Sequence, residues 1–190
     1  MSQQPPVNDS LKGSLILADP TLREPTFYQS VLLLTEHSAE FGALGYMLNR
    51  PFGHSIGEVM SPADLTDEHR VLLGDVPIFV GGPVDPQRLS LSALSWSEED
   101  EELHYVFHLT TAEAARYCRE GFHIRAFLGY SGWSEGQLEG EMKQRAWISH
   151  RPQPEIVEVG HVDNMWRNLL RNLSPWHRLV ADEPDHLGLN

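Results

Sequence analysis

The chain has 190 residues, enough for one domain with a sizeable core, because a chain of about 150 residues already buries roughly 70% of its unfolded surface. Its 14 Lys and Arg against 27 Asp and Glu leave a formal net charge of −13, so no sequence-wide field attracts nucleic acid, and direct binding to it would need a local basic patch. Cys118 is the single cysteine, which excludes an intrachain disulfide and a cysteine-built zinc cage and fits a reducing compartment.

Residues 1–12 are polar, carry Pro5-Pro6 and show no periodicity; they read as a disordered tail. They lack the basic n-region and apolar h-region of a leader, and no segment approaches the roughly 18 apolar residues of a membrane span. The expectation is a cytoplasmic protein without a membrane partner. Ser14–Ala18 is a short apolar run ended by Asp19-Pro20, where the proline ring removes a donor, and it is predicted as the first strand. Ser30–Thr35 carries a continuous apolar run between polar flanks, as a strand covered on both faces would. Ala43–Leu48 is the third strand, stopped by Asn49-Arg50-Pro51. Ser55 and Glu58 have capping-box spacing and predict a short helix over 55–60.

The charged stretch Asp64–Arg70 separates that helix from a strand at Val76–Val80, which runs into Gly81-Gly82-Pro83-Val84. Arg88–Leu94 alternates and reads as a half-buried hairpin partner. Glu98–Glu102 is a solvated loop without the spacing of a calcium site. Leu103, Tyr105, Phe107 and Leu109 share one face of the next strand, leaving His104 and His108 on the other. Thr111 is placed to cap a helix over 112–120 that Gly121 closes. Cys118, near its C-terminal end, reads as a structural thiol, because the dipole there disfavours a thiolate.

Ile124–Tyr130 is the apolar run of a buried strand and leads into Gly129–Leu138, GYSGWSEGQL. This stretch reads as a strand-to-helix junction. Ser134 and Gln137 have the spacing of a capping box, and Trp133 and Leu138 that of a hydrophobic staple. A helix is predicted over 135–147, with Leu138, Met142 and Ala146 on its buried face and Glu139–Lys143 and Glu141–Arg145 as i,i+4 pairs. Residues 151–160 read as extended, and Asp163 as the cap of a last helix to Leu173. Residues 174–190 read as an acidic tail anchored by Trp176. No repeat or linker divides residues 13–173, which are expected to form a single domain.

The segment Pro20 to Val31 (PTLREPTFYQSV), the block Gly42 to Pro51, Gly81 to Val84 and Gly129 to Leu138 together resemble the motifs of the YqgE/AlgH family of bacterial proteins. The match runs from Gly13 to Leu173. Glu24 and Gln29 depart from it, standing where the family often has aspartate and arginine. The resemblance implies an α+β fold with a bent or bifurcated mixed β-sheet flanked by helices. It implies no chemistry. The family's occasional label as a transcriptional regulator names a pathway, and the chain carries no helix-turn-helix with a basic recognition helix.

Three functional readings follow. In the first, the turns holding Asn49, Arg50, Gly81, Gly82, Gly132, Trp133, Ser134 and Gln137 form a site for a small ligand or an unidentified protein partner. The glycines allow close backbone approach, and Arg50 and the N–H groups opening the helix favour negative charge, although Glu135 and Glu139 oppose it. The same glycines also suit tight turns and close packing. This makes the chain a non-enzymatic binding or regulatory domain with no cofactor and no metal. In the second, Gly132-Trp133-Ser134-Glu135-Gly136 is the G-x-S-x-G elbow of a serine hydrolase, with Asp163 or Asp182 and His177 or His186 following in chain order. The third is a transcription-linked regulator without a recognisable DNA-binding motif. Metal binding finds no support: four residues on a strand, at about 3.3 Å each, hold His104 and His108 roughly 13 Å apart. His37, His54 and His123 sit near loops or strand ends and lack a helical ligand spacing.

Overall fold

The computed structural model describes residues 10–38 and 40–183. Four strands come first, β1 (Leu15–Ala18), β2 (Val31–Ser38), β3 (Gly42–Met47) and β4 (Pro51–Ser55), followed by the short helices α1 (Ile56–Val59) and α2 (Asp67–Leu73). Then come β5 (Pro77–Val80), β6 (Val84–Ser97), β7 (Glu102–Leu109), α3 (Thr111–Arg119), β8 (His123–Trp133), α4 (Gln137–Lys143) and β9 (Trp147–His150). Two 3-10 turns, Pro154–Val157 and Val159–Asn164, lead into α5 (Met165–Arg171) and α6 (Pro175–Asp182).

The strands form one mixed sheet in the order β4-β5-β8-β3-β2-β1-β9, with β6 and β7 branching from β8. The expected α+β architecture with a bifurcated sheet is therefore what the chain adopts, and β8 is where it divides. Its residues Ala126–Leu128 lie between β5, which runs parallel, and β6, which runs antiparallel. Gly129 takes φ +67°, and beyond it Ser131–Trp133 pair with β3 instead. The two branches curl toward each other: Tyr46 on β3 stacks on Phe107 of β7 with ring centroids 4.5 Å apart, although these strands share no ladder.

Alternation along each strand decides which layer a side chain joins. Leu15 and Leu17 of β1, Val31 and Leu33 of β2, Tyr46 and Phe127 face a core closed by the 3-10 turns, α5 and α6. Ile16, Ala18, Leu32 and Leu34 face the opposite way, against Trp133, Trp147 and Leu138 of α4. Both faces are thus covered, which is why these two strands read as unbroken apolar runs. A third cluster places α1, α2 and α3 on β5, β6 and β8 through Ile56, Leu73, Ala114, Ala115, Ile78 and Ala126. Arg125 is wholly buried among these layers. Its guanidinium donates to the carbonyls of Leu48 (3.2 Å), Ile156 (2.6 Å) and Glu158 (3.1 Å), and so ties the 3-10 segment to the sheet.

Several boundaries differ from the sequence reading, each for a local reason. Residues 10–12 are held: Ser10 Oγ donates to the His37 carbonyl and the Leu11 N–H to His37 Nδ1, while residues 1–9 of the expected tail lie outside the described ones. The stop at Pro51 is the start of edge strand β4, a position that tolerates a residue with no N–H for the ladder. The charged stretch Asp64–Arg70 runs into α2, which is capped by Thr66, whose hydroxyl accepts from the His69 N–H. Thr110, not Thr111, caps α3, sharing a reciprocal capping box with Glu113. The helix expected to reach residue 147 ends at Lys143, because Arg145 turns to φ +61° and Trp147 opens β9 alongside β1. Asp163 lies inside a 3-10 turn, and Asn164 precedes α5. The stretch from Ser174, read as a tail, forms α6 with Ala181 buried; residues 184–190 lie outside the described ones.

Candidate functional site

The glycines of the two most motif-like stretches meet at the fork. A Cβ on Gly81 would sit 2.3 Å from the Gly129 carbonyl oxygen, and one on Gly129 would sit 2.6 Å from that of Gly82. Gly82 likewise lies against the Tyr130 backbone. Close backbone approach is therefore what Gly81, Gly82 and Gly129 supply. Gly132 differs, because a Cβ there would meet nothing nearer than the Tyr130 ring at 3.4 Å.

The remaining residues of the expected site are divided among separate tasks. Asn49 is buried; its Oδ1 accepts from the Val31 N–H and its Nδ2 donates to the Gln29 carbonyl, fastening the start of β2. Arg50 donates to the Tyr28 carbonyl on the same turn, and burial pushes its guanidinium below the usual range. Trp133 packs in the layer beneath α4. Its indole N–H donates to Glu141 Oε2 (2.8 Å), as does that of Trp147 (2.7 Å), while Gln137 Nε2 donates to Glu141 Oε1 (2.9 Å). Glu141 thus serves the core rather than the expected pair with Arg145. Replacing Glu141 with leucine would leave two indole donors unpaired, and a loss of about 2–3 kcal/mol in urea denaturation is expected. A loss below about 0.5 kcal/mol, within the range of an ordinary surface change, would show that the indoles find other partners.

Ser134 is exposed, and its hydroxyl donates to Gln137 Oε1 (3.0 Å), which also accepts from the Ser134 N–H (3.1 Å). Half of the capping box forms, but the cap position belongs to Gly136, whose φ of +70° admits the chain to α4 two residues later than expected. The hydrolase partners are engaged elsewhere. His177 Nδ1 lies 2.8 Å from Ser174 Oγ, Asp182 pairs with Arg171, and Asp163 is exposed on its 3-10 turn; His186 lies outside the described residues. The loop-end histidines also part company. His37 takes the Leu11 N–H on Nδ1, which leaves Nε2 to donate to Glu139 Oε1 at 3.0 Å, and His54 sits beside Glu58.

The side chains that do converge lie on the inner side of the fork. A cleft of about 150 Å³ is lined by Leu44 and Tyr46 of β3, Arg88 and Ser90 of β6, His108 of β7, and Gly129 and Tyr130 of β8. His108 belongs there because of an irregularity in the β6–β7 ladder, where the register slips between Leu91 and Ser92 and leaves His108 unpaired at φ +61°. A positive φ is uncommon for any residue with a Cβ, and a bulge re-aims the side chain it carries. Instead of sharing the outer face with His104, His108 brings Nε2 to 3.4 Å from the Tyr46 hydroxyl. Burial pushes the Tyr46 phenol up, against the opposing influence of the Ser90 hydroxyl and the Arg88 charge, so the phenol stays protonated and able to donate at neutral pH. Alternation alone could not find this site, since the slip that creates it is a property of two strands together.

The AlgH-like family model, a domain of unknown function, matches residues 15–177. A UPF0301 protein of Chlorobium luteolum is 32% identical over 94% of this chain and 94% of its own. One from Streptomyces coelicolor is 33% identical over 95% and 96%. Among solved structures, the crystal structure of a Corynebacterium diphtheriae protein gives a TM-score of 0.70 at 21% identity, covering 96% of this chain and 95% of that one. The solution structure of the AlgH protein from Pseudomonas aeruginosa gives 0.62 at 24% identity over 96% and 99%. At these identities the two structures speak to the fold alone.

Proposed function

The chain belongs to the AlgH-like family, and from that premise we propose that it is a binding domain of regulatory rather than catalytic role, whose ligand site is the cleft at the sheet fork. The observation that carries this reading is the left-handed His108, turned by its bulge onto the hydroxyl of Tyr46 inside a cleft shared with Arg88 and Ser90. Such backbone conformations cost about 1–3 kcal/mol and persist where the surroundings over-determine them, most often around functional sites. The cleft also spans both branches of the sheet, so an occupant would touch β3 and β7 at once and bias the curl between them.

None of the eight residues of the expected site lines this cleft; from the junction stretch Gly129 and Tyr130 do, and the cation there is Arg88 instead of Arg50. The lone free thiol of Cys118 supports a cytoplasmic setting, and no helix among the described residues is long and apolar enough to cross a membrane. A role linked to transcription would run through a protein partner, because a net charge of −13 repels a phosphate backbone.

A fragment screen followed by NMR on the full chain tests the proposal. Hits are expected to shift the signals of Ser90, His108 and Tyr130 together. Hits that gather instead in the groove of Trp147, Arg145 and Trp176, or in the one between Gln153 and Met165, would place the site elsewhere and sink the reading.

A further inference from the structure

We propose that the fork cleft binds a small oxyanion, a carboxylate or phosphate group, held by the Arg88 guanidinium and the hydroxyls of Tyr46 and Ser90 with His108 at the rim. This rests on the cleft being the ligand site and names what it takes.

The first argument is charge. The chain carries 27 acidic residues against 14 basic ones, yet no carboxylate among the described residues lines this cleft. The Arg88 side chain makes no hydrogen bond or ion pair with any described residue, and its charge acts on the Tyr46 phenol. Several arginines are engaged, Arg116 with Glu120, Arg119 with Glu68, Arg171 with Asp182 and Arg70 with the Gly57 carbonyl, while others, such as Arg145 and Arg178, are like Arg88. An exposed, unpaired arginine alone would be an ordinary solvated side chain. What sets Arg88 apart is the set of donors facing the same space. Tyr46 keeps its proton, Ser90 brings a hydroxyl, and His108 can carry a proton on Nε2. A guanidinium with neutral O–H donors around it matches the several lone pairs of an oxyanion.

Size narrows the class. At about 150 Å³ the cleft falls below the roughly 300 Å³ at which sites for drug-sized molecules begin. It suits a compact charged group whose remaining atoms, where there are any, extend into solvent. The acidity of the whole chain then selects against polymeric phosphates, whose many charges meet a repelling surface beyond the cleft.

The test is an NMR titration of the full chain with inorganic phosphate, acetate and acetamide, the last a neutral match for acetate, at constant ionic strength. Phosphate or acetate is expected to give a saturable shift at His108 and Tyr130, and acetamide none. Arg88→Gln should weaken the binding about tenfold or more while leaving the melting temperature unchanged, because Arg88 is exposed. Binding of phosphate without acetate identifies a phosphate-bearing ligand, and the converse a carboxylate. If acetamide saturates as acetate does, or Arg88→Gln binds as the wild type, the oxyanion class is overturned while the cleft stands as a site for neutral ligands. If neither anion shifts these signals the class is likewise overturned, and a fragment screen that also leaves them unmoved removes the cleft itself.

Discussion

Arg125→Ala is expected to lower the stability of the domain by about 4 kcal/mol, a large part of the roughly 5–15 kcal/mol that a folded domain has. The Arg125 side chain is wholly buried and has no carboxylate partner; three carbonyl oxygens and the face of Phe79, 5.1 Å away, surround its guanidinium. Burial pushes the group down to about 10, still far above neutrality, so it is a cation at every physiological pH. Alanine would leave three acceptors without donors, each costing about 1–3 kcal/mol, and open a cavity; release of a buried charge offsets part of this. Arg125→Met fills much of the volume but supplies no donor, and should cost about 1–2 kcal/mol less than alanine. Denaturant titration measures both. Hydrogen exchange should show residues 154–164 loosening first, since two of the three bonds end there. A loss below about 1 kcal/mol, the worth of one ordinary hydrogen bond, would mean that those carbonyls find water and that the arginine is not the clamp described.

Gly81→Ala is the second large effect, expected at about 3–4 kcal/mol, at or beyond the upper end of the usual overpacking range. The new methyl would lie 2.3 Å from the Gly129 carbonyl oxygen and 3.0 Å from the Tyr46 ring. The backbone cannot slide to relieve this without loss. The Gly81 N–H donates to the Leu128 carbonyl (2.8 Å), and the Gly81 carbonyl accepts from the Met47 N–H (2.9 Å) and from Ser131 Oγ (3.2 Å). Gly132→Ala is the matched control. It lies in the same glycine-rich stretch as Gly129 but has room, so its stability should stay within about 0.5 kcal/mol of wild type. Thermal melts of the two variants decide the matter. Equal effects would show that the fork does not depend on the close approach at Gly81. Because Tyr46 flanks both Gly81 and the cleft, Gly81→Ala should also disturb the cleft.

The glycine framework around the fork was legible in the sequence, but its arrangement was not. The glycine motifs stand out in the sequence, but their part in turns and their part in a packed crossing look the same there. Only the exchange of partners along β8 at Gly129 shows that Gly81 and Gly82 meet it. Arg50 and Arg88 are equally visible as cations. One is turned onto the Tyr28 carbonyl and the other is left unpaired, a difference that depends on residues far from both in the chain. His108 shows the same limit, since strict alternation places it beside His104 and only the slip against β6 turns it inward.

Where a local pattern had a single physical outcome, it was enough. The apolar runs of β1 and β2 and the alternation of β7 as far as Phe107 determined strands, because period two leaves one way to place those side chains; past the slip Leu109 joins the other cluster. The box of Ser55 and Glu58 determined where α1 begins, Glu58 accepting the Ser55 N–H at 2.7 Å, because four residues contain both partners. The charge and the single cysteine bounded the kinds of partner and chemistry. The tertiary structure alone decided that β9 pairs with β1 instead of extending α4, that Arg125 could be buried as a cation, and that the sheet forks at Gly129 around a cleft. Each of these depends on groups supplied by distant segments, whose free energies appear only once the chain has closed on itself.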